Sequence, residues 1–324
     1  MATIMEARGL KKYFKTRSGL LHAVDDVNFS IEQGTTLGVV GESGCGKSTL
    51  GRLLVHLLEA TEGQILFDGR DVTSVDRRQL IDLRNDVQLV FQDPYSSLNA
   101  RMMVYETIAE PLVIQGRLKK PEINARVEQL METVGLDRRF MNAYPHEMDG
   151  GRRQRVGIAR ALALEPRFIV CDEPVSALDV SIQAQILNLM QDLQEKHGLT
   201  YLFITHDLSV VKYIADEIMV MYLGQVVEKC PSNELFEHTL HPYSQALLSA
   251  IPVPDIHAQR QRIILKGEIT SPIDPKPGCR FMARCPHATD ECARPQTLRE
   301  IKPGHWVSCC HVTNGNSPLQ SGKK

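Results

Sequence analysis

The chain has 324 residues, a formal net charge of −2 and 43% hydrophobic residues. This length and composition suffice for one large or two small domains, and the near-neutral charge disfavours a dedicated nucleic-acid binder. The sequence contains no run of about 20 apolar residues and no signal-peptide pattern at its start, so we expect a cytosolic protein that does not itself span a membrane. In that compartment its 8 cysteines are not expected to form disulfides.

The first segment, residues 4–33, alternates apolar and polar positions and is predicted to form strands punctuated by Gly19 and Gly34. An aromatic side chain in these strands can stack on an adenine ring. Tyr13 and Phe14 are the two candidates. For either residue alone, packing inside a small sheet explains the pattern equally well.

The dominant motif follows at residues 41–49 and reads G-x-x-x-x-G-K-[ST] between an apolar strand and a helical leucine pattern. A loop of this kind wraps phosphates with its backbone N–H groups and with the N-terminus of the following helix. Lys47 would reach the β- and γ-phosphates, Ser48 would ligate Mg²⁺, and Cys45 is interpreted as a space-filling residue. The candidate ATP-binding residues of the loop are Gly41, Glu42, Ser43, Gly44, Cys45, Gly46, Lys47, Ser48 and Thr49.

Three further apolar strands end in polar residues, and the carboxyl ends of parallel strands are where ligands bind in open α/β sheets. The first ends at Gln92, and the second, Phe168–Glu173, delivers two carboxylates. Asp172 would hold Mg²⁺ directly or through water, and Glu173 would polarise the water that attacks the γ-phosphate. The third strand ends at His206, which either contacts the γ-phosphate or is only a polar surface group. The stretch between the first two strands, about 99–160, is predicted to be a helical insertion.

From about residue 236 prolines become frequent and regular periodicity fades, which predicts a C-terminal extension over 236–311 and a disordered tail over 312–324. Five cysteines fall in the extension. Thiolates suit zinc or an iron–sulfur cluster, but the short C-x2–4-C spacing of structural zinc sites is absent here. An iron–sulfur cluster, a zinc ion and reduced thiols without a metal all remain open. The cysteines are Cys279, Cys285, Cys292, Cys309 and Cys310.

Taken in order, these motifs resemble the ABC-type ATPases over about residues 1–235. The resemblance implies an α/β P-loop (RecA-like) nucleotide-binding domain with an antiparallel β subdomain and a helical insertion. It implies ATP sandwiched between two such domains, each giving its signature segment to the other's phosphate loop. It also implies that Gln92 senses the membrane partner and shares the Mg²⁺ site, and that His206 contacts the γ-phosphate. The D-loop of this pattern is Ser176, Ala177, Leu178 and Asp179.

A narrower resemblance, to the ATPase subunits of oligopeptide/dipeptide importers and most to their F subunit, rests on residues 91–99, 144–147 and 241–247. It implies ATP-driven import of di- and oligopeptides at the cytoplasmic face of the membrane. The implied partners are a second, non-identical ATPase, two membrane subunits and an external binding protein. Some members of this family carry a [4Fe–4S] cluster. In this chain the implied ligands, with a structural role and with Cys310 spare, are Cys279, Cys285, Cys292 and Cys309.

Three other functions remain as alternatives. The same machine could import a nickel–chelator complex or another small solute. A soluble ABC ATPase of DNA repair or of the ribosome is disfavoured, because the chain has one cassette and no basic face. A sensor that uses the cluster to switch an ATPase domain is the third.

The signature segment departs from the usual Leu-Ser-Gly-Gly-Gln, because residues 148–152 read Met148, Asp149, Gly150, Gly151 and Arg152. An ionised carboxylate cannot donate the hydrogen bond that the serine hydroxyl gives to the γ-phosphate, and it repels phosphate. Our hypothesis is that the composite site containing this segment binds ATP but hydrolyses it slowly. The alternative is that Asp149 and Arg152 pair with each other and change little.

Overall fold

The structure is a computed structural model that describes residues 2–93, 95, 97–251, 262–265, 267 and 270–313. Strands and helices are numbered separately in chain order. The strands are β1 (Thr3–Thr16), β2 (Gly19–Glu32), β3 (Thr36–Val40), β4 (Glu62–Phe67), β5 (Arg70–Asp71), β6 (Val87–Val90), β7 (Phe168–Asp172), β8 (Thr200–Ile204), β9 (Glu217–Tyr222), β10 (Gln225–Pro231), β11 (Arg299–Lys302) and β12 (His305–Val307). The α-helices are α1 (Lys47–Leu54), α2 (Arg77–Asp86), α3 (Val104–Gln115), α4 (Lys120–Thr133), α5 (Gly150–Leu162), α6 (Val180–His197), α7 (Leu208–Ile214), α8 (Ser232–Glu237) and α9 (Pro242–Ser249).

Two sheets organise these elements. An antiparallel sheet has the order β2-β1-β4-β5, and an eight-stranded sheet has the order β11-β12-β10-β9-β3-β8-β7-β6. Within the larger sheet, β9, β3, β8, β7 and β6 pair in parallel, so their carboxyl ends share one edge. The predicted α/β architecture with an antiparallel β subdomain is therefore confirmed, and this shared edge is where polar residues that follow the strands must meet.

The helical insertion between β6 and β7 is α3, α4 and α5, as predicted for about 99–160. Its apolar faces pack against β6, β7 and β8 in one continuous core, to which Ile108, Val127 and Val156 contribute. A second core joins the antiparallel sheet to β3 and α1. Among the described residues, no helix has both the length and the apolar character that crossing a membrane requires.

Two short strands join the C-terminal extension to the main sheet. Strand β12 pairs with β10 in the register Glu228↔Val307, and β11 pairs with β12. The fully buried Glu228 carboxylate binds three groups that follow it in sequence. It accepts hydrogen bonds from the Leu240 N–H (2.8 Å) and the His241 N–H (3.1 Å), and its Oε1 lies 2.8 Å from Nε2 of His305. A buried carboxylate and two short strands therefore hold the extension to the sheet, although between α9 and β11 its described residues form only two short 3-10 turns.

Both predicted boundaries of the extension fall within packed structure. The boundary at 235 lies inside α8. Val312, assigned to the tail, is fully buried with Leu240 and Val307. Packing therefore continues at least one residue beyond the predicted end of the extension at 311, while residues 314–324 of the predicted tail lie outside the described part of the chain.

Candidate active site

The phosphate loop connects β3 to α1 and is packed tightly against neighbouring backbone. A Cβ atom on Gly46 would lie 2.0 Å from the Ala23 carbonyl oxygen, and one on Gly41 would lie 2.2 Å from that of Met221. Both residues also have positive φ angles, 104° for Gly46 and 152° for Gly41. Only glycine fits at these two positions, which explains the spacing of the motif.

The loop presents donors to an anion. Gly46 is the N-cap of α1, so it has no side chain that competes for the first N–H groups of the helix. Lys47 is buried, and its ammonium donates to the carbonyl oxygens of Gly41 (2.8 Å) and Glu42 (3.1 Å). The cation is therefore held over the loop by backbone oxygens. Cys45 packs in the apolar core, consistent with a space-filling role.

Ser48 and Asp172 meet as the sequence predicts. The Ser48 hydroxyl donates to Oδ1 of Asp172 at 2.7 Å, which joins the start of α1 to the end of β7. Burial raises the pKa of the Asp172 carboxyl, while the hydrogen bond from Ser48 opposes that rise. A hydroxyl and a carboxylate beside a phosphate loop are oxygen ligands of the kind that Mg²⁺ takes, so this pair fits the ion.

Two other predicted residues, Gln92 and His206, contact the Glu173 carboxylate. Its Oε2 accepts a hydrogen bond from the Gln92 amide at 2.9 Å and lies 3.2 Å from Nδ1 of His206. The backbone of Glu173 is left-handed, with φ of 48°, and its N–H donates to the Ile204 carbonyl. Such a conformation is unfavourable for a residue with a side chain and persists where the surroundings impose it, most often at functional sites.

A cavity of about 270 Å³ lies beside the loop. Phe14 lines it, whereas Tyr13 does not. The Tyr13 hydroxyl donates to Asp25, and its ring stacks on His22 with centroids 4.0 Å apart. Of the two candidates for adenine stacking, only Phe14 lines this cavity. The lining residues are Phe14, Leu21, His22, Ala23, Ser43, Gly44, Gly46, Lys47, Ser48, Thr49, Gln92, Glu173 and Pro272.

Three loop residues predicted to bind ATP, Gly41, Glu42 and Cys45, are absent from this lining. Conversely, sequence reasoning missed His22 and Pro272. Pro272 comes from the extension, and its carbonyl accepts a hydrogen bond from the His22 N–H at 3.0 Å. The apolar–polar alternation of β2 marked a strand, but nothing local to residue 272 indicated that it would lie beside a loop more than 200 residues away.

The signature segment lies outside this cavity, and it begins α5. Asp149 is the N-cap, since its Oδ1 accepts from the Arg152 N–H, and its Oδ2 pairs with the Arg152 guanidinium, both at 2.8 Å. This is the mutual pairing that the sequence left as the alternative. The helix packs against the D-loop, because a Cβ on Gly150 would lie 3.0 Å from Leu178. Met148 is buried beneath it.

The five C-terminal cysteines gather in one region. Burial raises the pKa of the Cys279 thiol to about 12, with further contributions from Cys309, Cys292 and Cys285 nearby. Cys292 Sγ lies 3.7 Å from Sγ of Cys310, the cysteine predicted to be spare, and 3.4 Å from Nε2 of His311. Cys310 is thus not remote from the predicted ligands. The adjacent Cys-His dipeptide was the signal that sequence reasoning passed over.

Known proteins share both parts of this architecture. The family model described as ABC transporter matches residues 24–176, and the one described as oligopeptide/dipeptide transporter, C-terminal region, matches 227–292. The oligopeptide transport ATP-binding protein AppF of Bacillus subtilis is 51% identical over 318 residues, covering 95% of this chain and 97% of that protein. The chain belongs to the ATP-binding proteins of oligopeptide/dipeptide ABC transporters.

Other members and solved structures agree with this assignment. The oligopeptide transport ATP-binding protein OppF of Bacillus subtilis is 51% identical over 308 residues, which span 94% of this chain and 96% of OppF. A dimeric ATP-binding cassette in a post-hydrolysis state, bound to ADP and Pi, matches 71% of this chain and 99% of its own with a TM-score of 0.65 and 30% identity. For cbiO1 from Clostridium perfringens the TM-score is 0.66, with 29% identity over 74% of this chain and 93% of that chain. As an ABC ATPase, the chain couples ATP hydrolysis to transport.

Proposed function

We propose that this chain is the ATPase subunit of a peptide importer that works through partner membrane subunits. The observation that carries the proposal is the convergence of Gln92, Glu173 and His206 beside the phosphate loop, in a chain that also has the C-terminal region of oligopeptide/dipeptide transporters. The peptide cargo is supported by the names of the relatives, AppF and OppF, both oligopeptide transport proteins.

The geometry suggests a role for each side chain in hydrolysis. The phosphate-loop N–H groups and Lys47 bind the phosphates, and Phe14 packs on the adenine. Ser48 and Asp172 would hold Mg²⁺, and Gln92 lines the same cavity as Ser48. Glu173 is held by Gln92 and His206 so that its carboxylate polarises the attacking water, and His206 contacts the γ-phosphate.

The partners are those that the resemblance to oligopeptide/dipeptide importers implies. We infer a heterodimer with a second ATPase, two permease subunits and an extracytoplasmic binding protein, at the cytoplasmic face of the membrane. Phe91 and Tyr95, on either side of Gln92 in sequence, are exposed by 39% and 61%. Exposed aromatic residues beside the residue that contacts Glu173 are suited to a subunit interface, through which closure of the ATP sites moves the permease.

The signature segment makes the two composite sites unequal in this proposal. Asp149 meets the partner's phosphate loop where a serine hydroxyl is usual, so the site containing it hydrolyses slowly. The site with this chain's own Lys47, Asp172, Glu173 and His206 is then the active one. The ion pair with Arg152 neutralises part of the Asp149 charge but supplies no hydroxyl donor.

The cysteine region is proposed to hold a structural [4Fe–4S] cluster through Cys279, Cys285, Cys292 and Cys309. Support for a bound metal group comes from the partly or fully buried thiols, which lie close enough to raise one another's pKa, in a segment with little regular structure. The short Cys292–Cys310 distance favours a competing ligand set that includes Cys310. Anaerobically purified Cys309→Ser and Cys310→Ser variants decide between them by iron content and visible absorbance. If only Cys310→Ser loses its iron, Cys310 is the fourth ligand in place of Cys309. If the wild type contains no iron, the proposed cluster is contradicted.

The transport role is tested by ATPase rates in the reconstituted complex with its membrane, ATPase and binding subunits. We compare the binding protein empty, loaded with di- to pentapeptides, and loaded with nickel chelates. Stimulation by peptides alone is expected. If only nickel chelates stimulate the ATPase, the cargo is a nickel chelate and not a peptide. If neither stimulates it, coupled import of both is contradicted.

A further inference from the structure

The phosphate loop is held from outside by the C-terminal extension. The Glu42 carboxylate, which does not line the ATP cavity, is bound by both terminal nitrogens of Arg284, at 2.8 and 3.1 Å. The Glu42 N–H donates to the Tyr243 hydroxyl at 2.9 Å. One loop residue is therefore fixed at its backbone and at its side chain by residues more than 200 positions away. The Arg284 side chain is only 10% exposed, so this ion pair is largely shielded from water.

A second set of contacts supports the other side of the loop. Arg280 is buried and donates to the Asp25 carboxylate and to the Leu223 carbonyl. The next residue, Gly224, donates its N–H to the Cys45 carbonyl at 2.8 Å. Arg280 thus fixes the turn at Leu223 and Gly224, and this turn contacts the phosphate loop at Cys45.

Both arginines belong to the cysteine segment itself. Arg280 follows Cys279, and Arg284 precedes Cys285. The Phe281 ring between them packs against the rings of Tyr222 and Tyr243, each at 5.3 Å between centroids, and the Cys279 N–H bonds to the Cys292 carbonyl at 2.8 Å. The backbone that places these thiols therefore also places the guanidinium groups.

We propose that the extension positions the phosphate loop through Arg284 and Arg280, so that nucleotide affinity depends on the state of the cysteine segment. A glycine-rich loop has much conformational freedom to lose, and any ordering that the protein does not supply must come from the binding energy of the nucleotide. Contacts that order the loop in advance therefore tighten binding. The dependence on metal occupancy rests on the cluster proposed above, whereas the arginine contacts do not.

The test measures binding of a fluorescent ATP analogue with Mg²⁺ to the full chain. Arg284→Gln is expected to weaken binding about tenfold, and Arg284→Lys to recover part of the loss. Glu42→Gln carries the same expectation, and the double variant is expected to lose no more than either single one, because both remove one interaction. The matched control is Arg8→Gln, which breaks another bidentate arginine–glutamate pair, on the exposed face of β1, and should bind as the wild type does.

Wild-type affinity in a folded Arg284→Gln variant, or additive losses in the double variant, would overturn the proposal. If Arg284→Gln does not fold, as judged by circular dichroism, Glu42→Gln with Arg284 intact provides the same test. Removing bound metal with an iron chelator should weaken nucleotide binding in the wild type, and by less in Arg284→Gln, in which only the Arg280 contacts still connect the cysteine segment to the loop. If the wild type contains no iron but Arg284→Gln still binds the nucleotide weakly, the cluster is ruled out and the positioning role of the arginines is retained. Metal loss without any change in nucleotide affinity would overturn the coupling.

Discussion

The ATP cavity and the cysteine-rich extension lie side by side, but their side chains reach their positions in different ways. Around the cavity, Gln92, Glu173 and His206 each come soon after a strand of one parallel sheet, so the sheet alone brings them together. In the extension, Tyr243 and Arg284 reach Glu42 across sequence separations of 201 and 242 residues. Short sequence motifs therefore specify the catalytic side chains. The contacts that hold the phosphate loop in place come from distant residues and match no short motif.

The largest expected effect concerns the cavity. Glu173→Gln keeps the hydrogen-bonding shape but removes the base, so ATP hydrolysis should fall about a thousandfold while ATP still binds. Hydrolysis and nucleotide binding are measured separately in the assembled complex. The matched control is Glu195→Gln on the exposed side of α6. Equal hydrolysis in both variants would show that the parallel-sheet edge does not provide the base.

The pH dependence of folding stability tests whether His241, in the extension, is buried in its neutral form. His241 caps α9 by accepting the Tyr243 N–H at its Nδ1, and burial lowers its pKa to about 4 against the opposing charge of Glu228. Between about pH 6.5 and 4 the unfolded chain binds a proton that the folded chain does not. The free energy of unfolding should therefore fall by about 3 kcal/mol as the pH drops through this window.

Urea denaturation of the wild type and of His241→Asn at several pH values isolates this contribution, because asparagine also caps helices but does not titrate. The difference in stability between the two proteins should shrink as the pH falls. Parallel pH profiles would mean that His241 is not held neutral by its burial.

Adenine stacking gives a smaller effect. Phe14→Ala should weaken ATP binding by about 1 kcal/mol, or about fivefold, because the ring that lines the cavity is lost. Tyr13→Ala should cost less, since its ring faces His22. Calorimetric titration of both variants with ATP compares them, and the reverse order would identify Tyr13 as the stacking residue.

The smallest effect concerns the signature. Asp149→Ser combined with Arg152→Gln recreates the usual sequence at the α5 N-terminus, and serine preserves the cap. If one of two composite sites is slow, turnover of the assembled complex should rise at most about twofold. Unchanged turnover would favour the alternative in which the Asp149–Arg152 ion pair is already harmless.

The sequence predicted that Gln92, Glu173 and His206 would lie near one another because each follows a strand of the sheet, and the structure brings these three side chains together. It did not distinguish Phe14 from Tyr13, since the register of β1 shifts between Lys12 and Tyr13 and such a bulge changes which side chains share a face. The extension was predicted to be irregular because its strands are only three and four residues long. Periodicity needs longer segments, and the long-range partners of Arg284 leave no local pattern.

The position of β11 and β12 has a consequence for solubility. Without them, β10 would end the sheet with its backbone N–H and C=O groups open to a strand of another molecule, which is how edge strands cause aggregation. The structure covers β10 with β12 and then finishes with β11, whose four residues include Arg299, Glu300 and Lys302. A short, charged outermost strand is a poor template for further pairing. The last residues of the sheet thus protect this ATPase from pairing with a second copy of itself through β10.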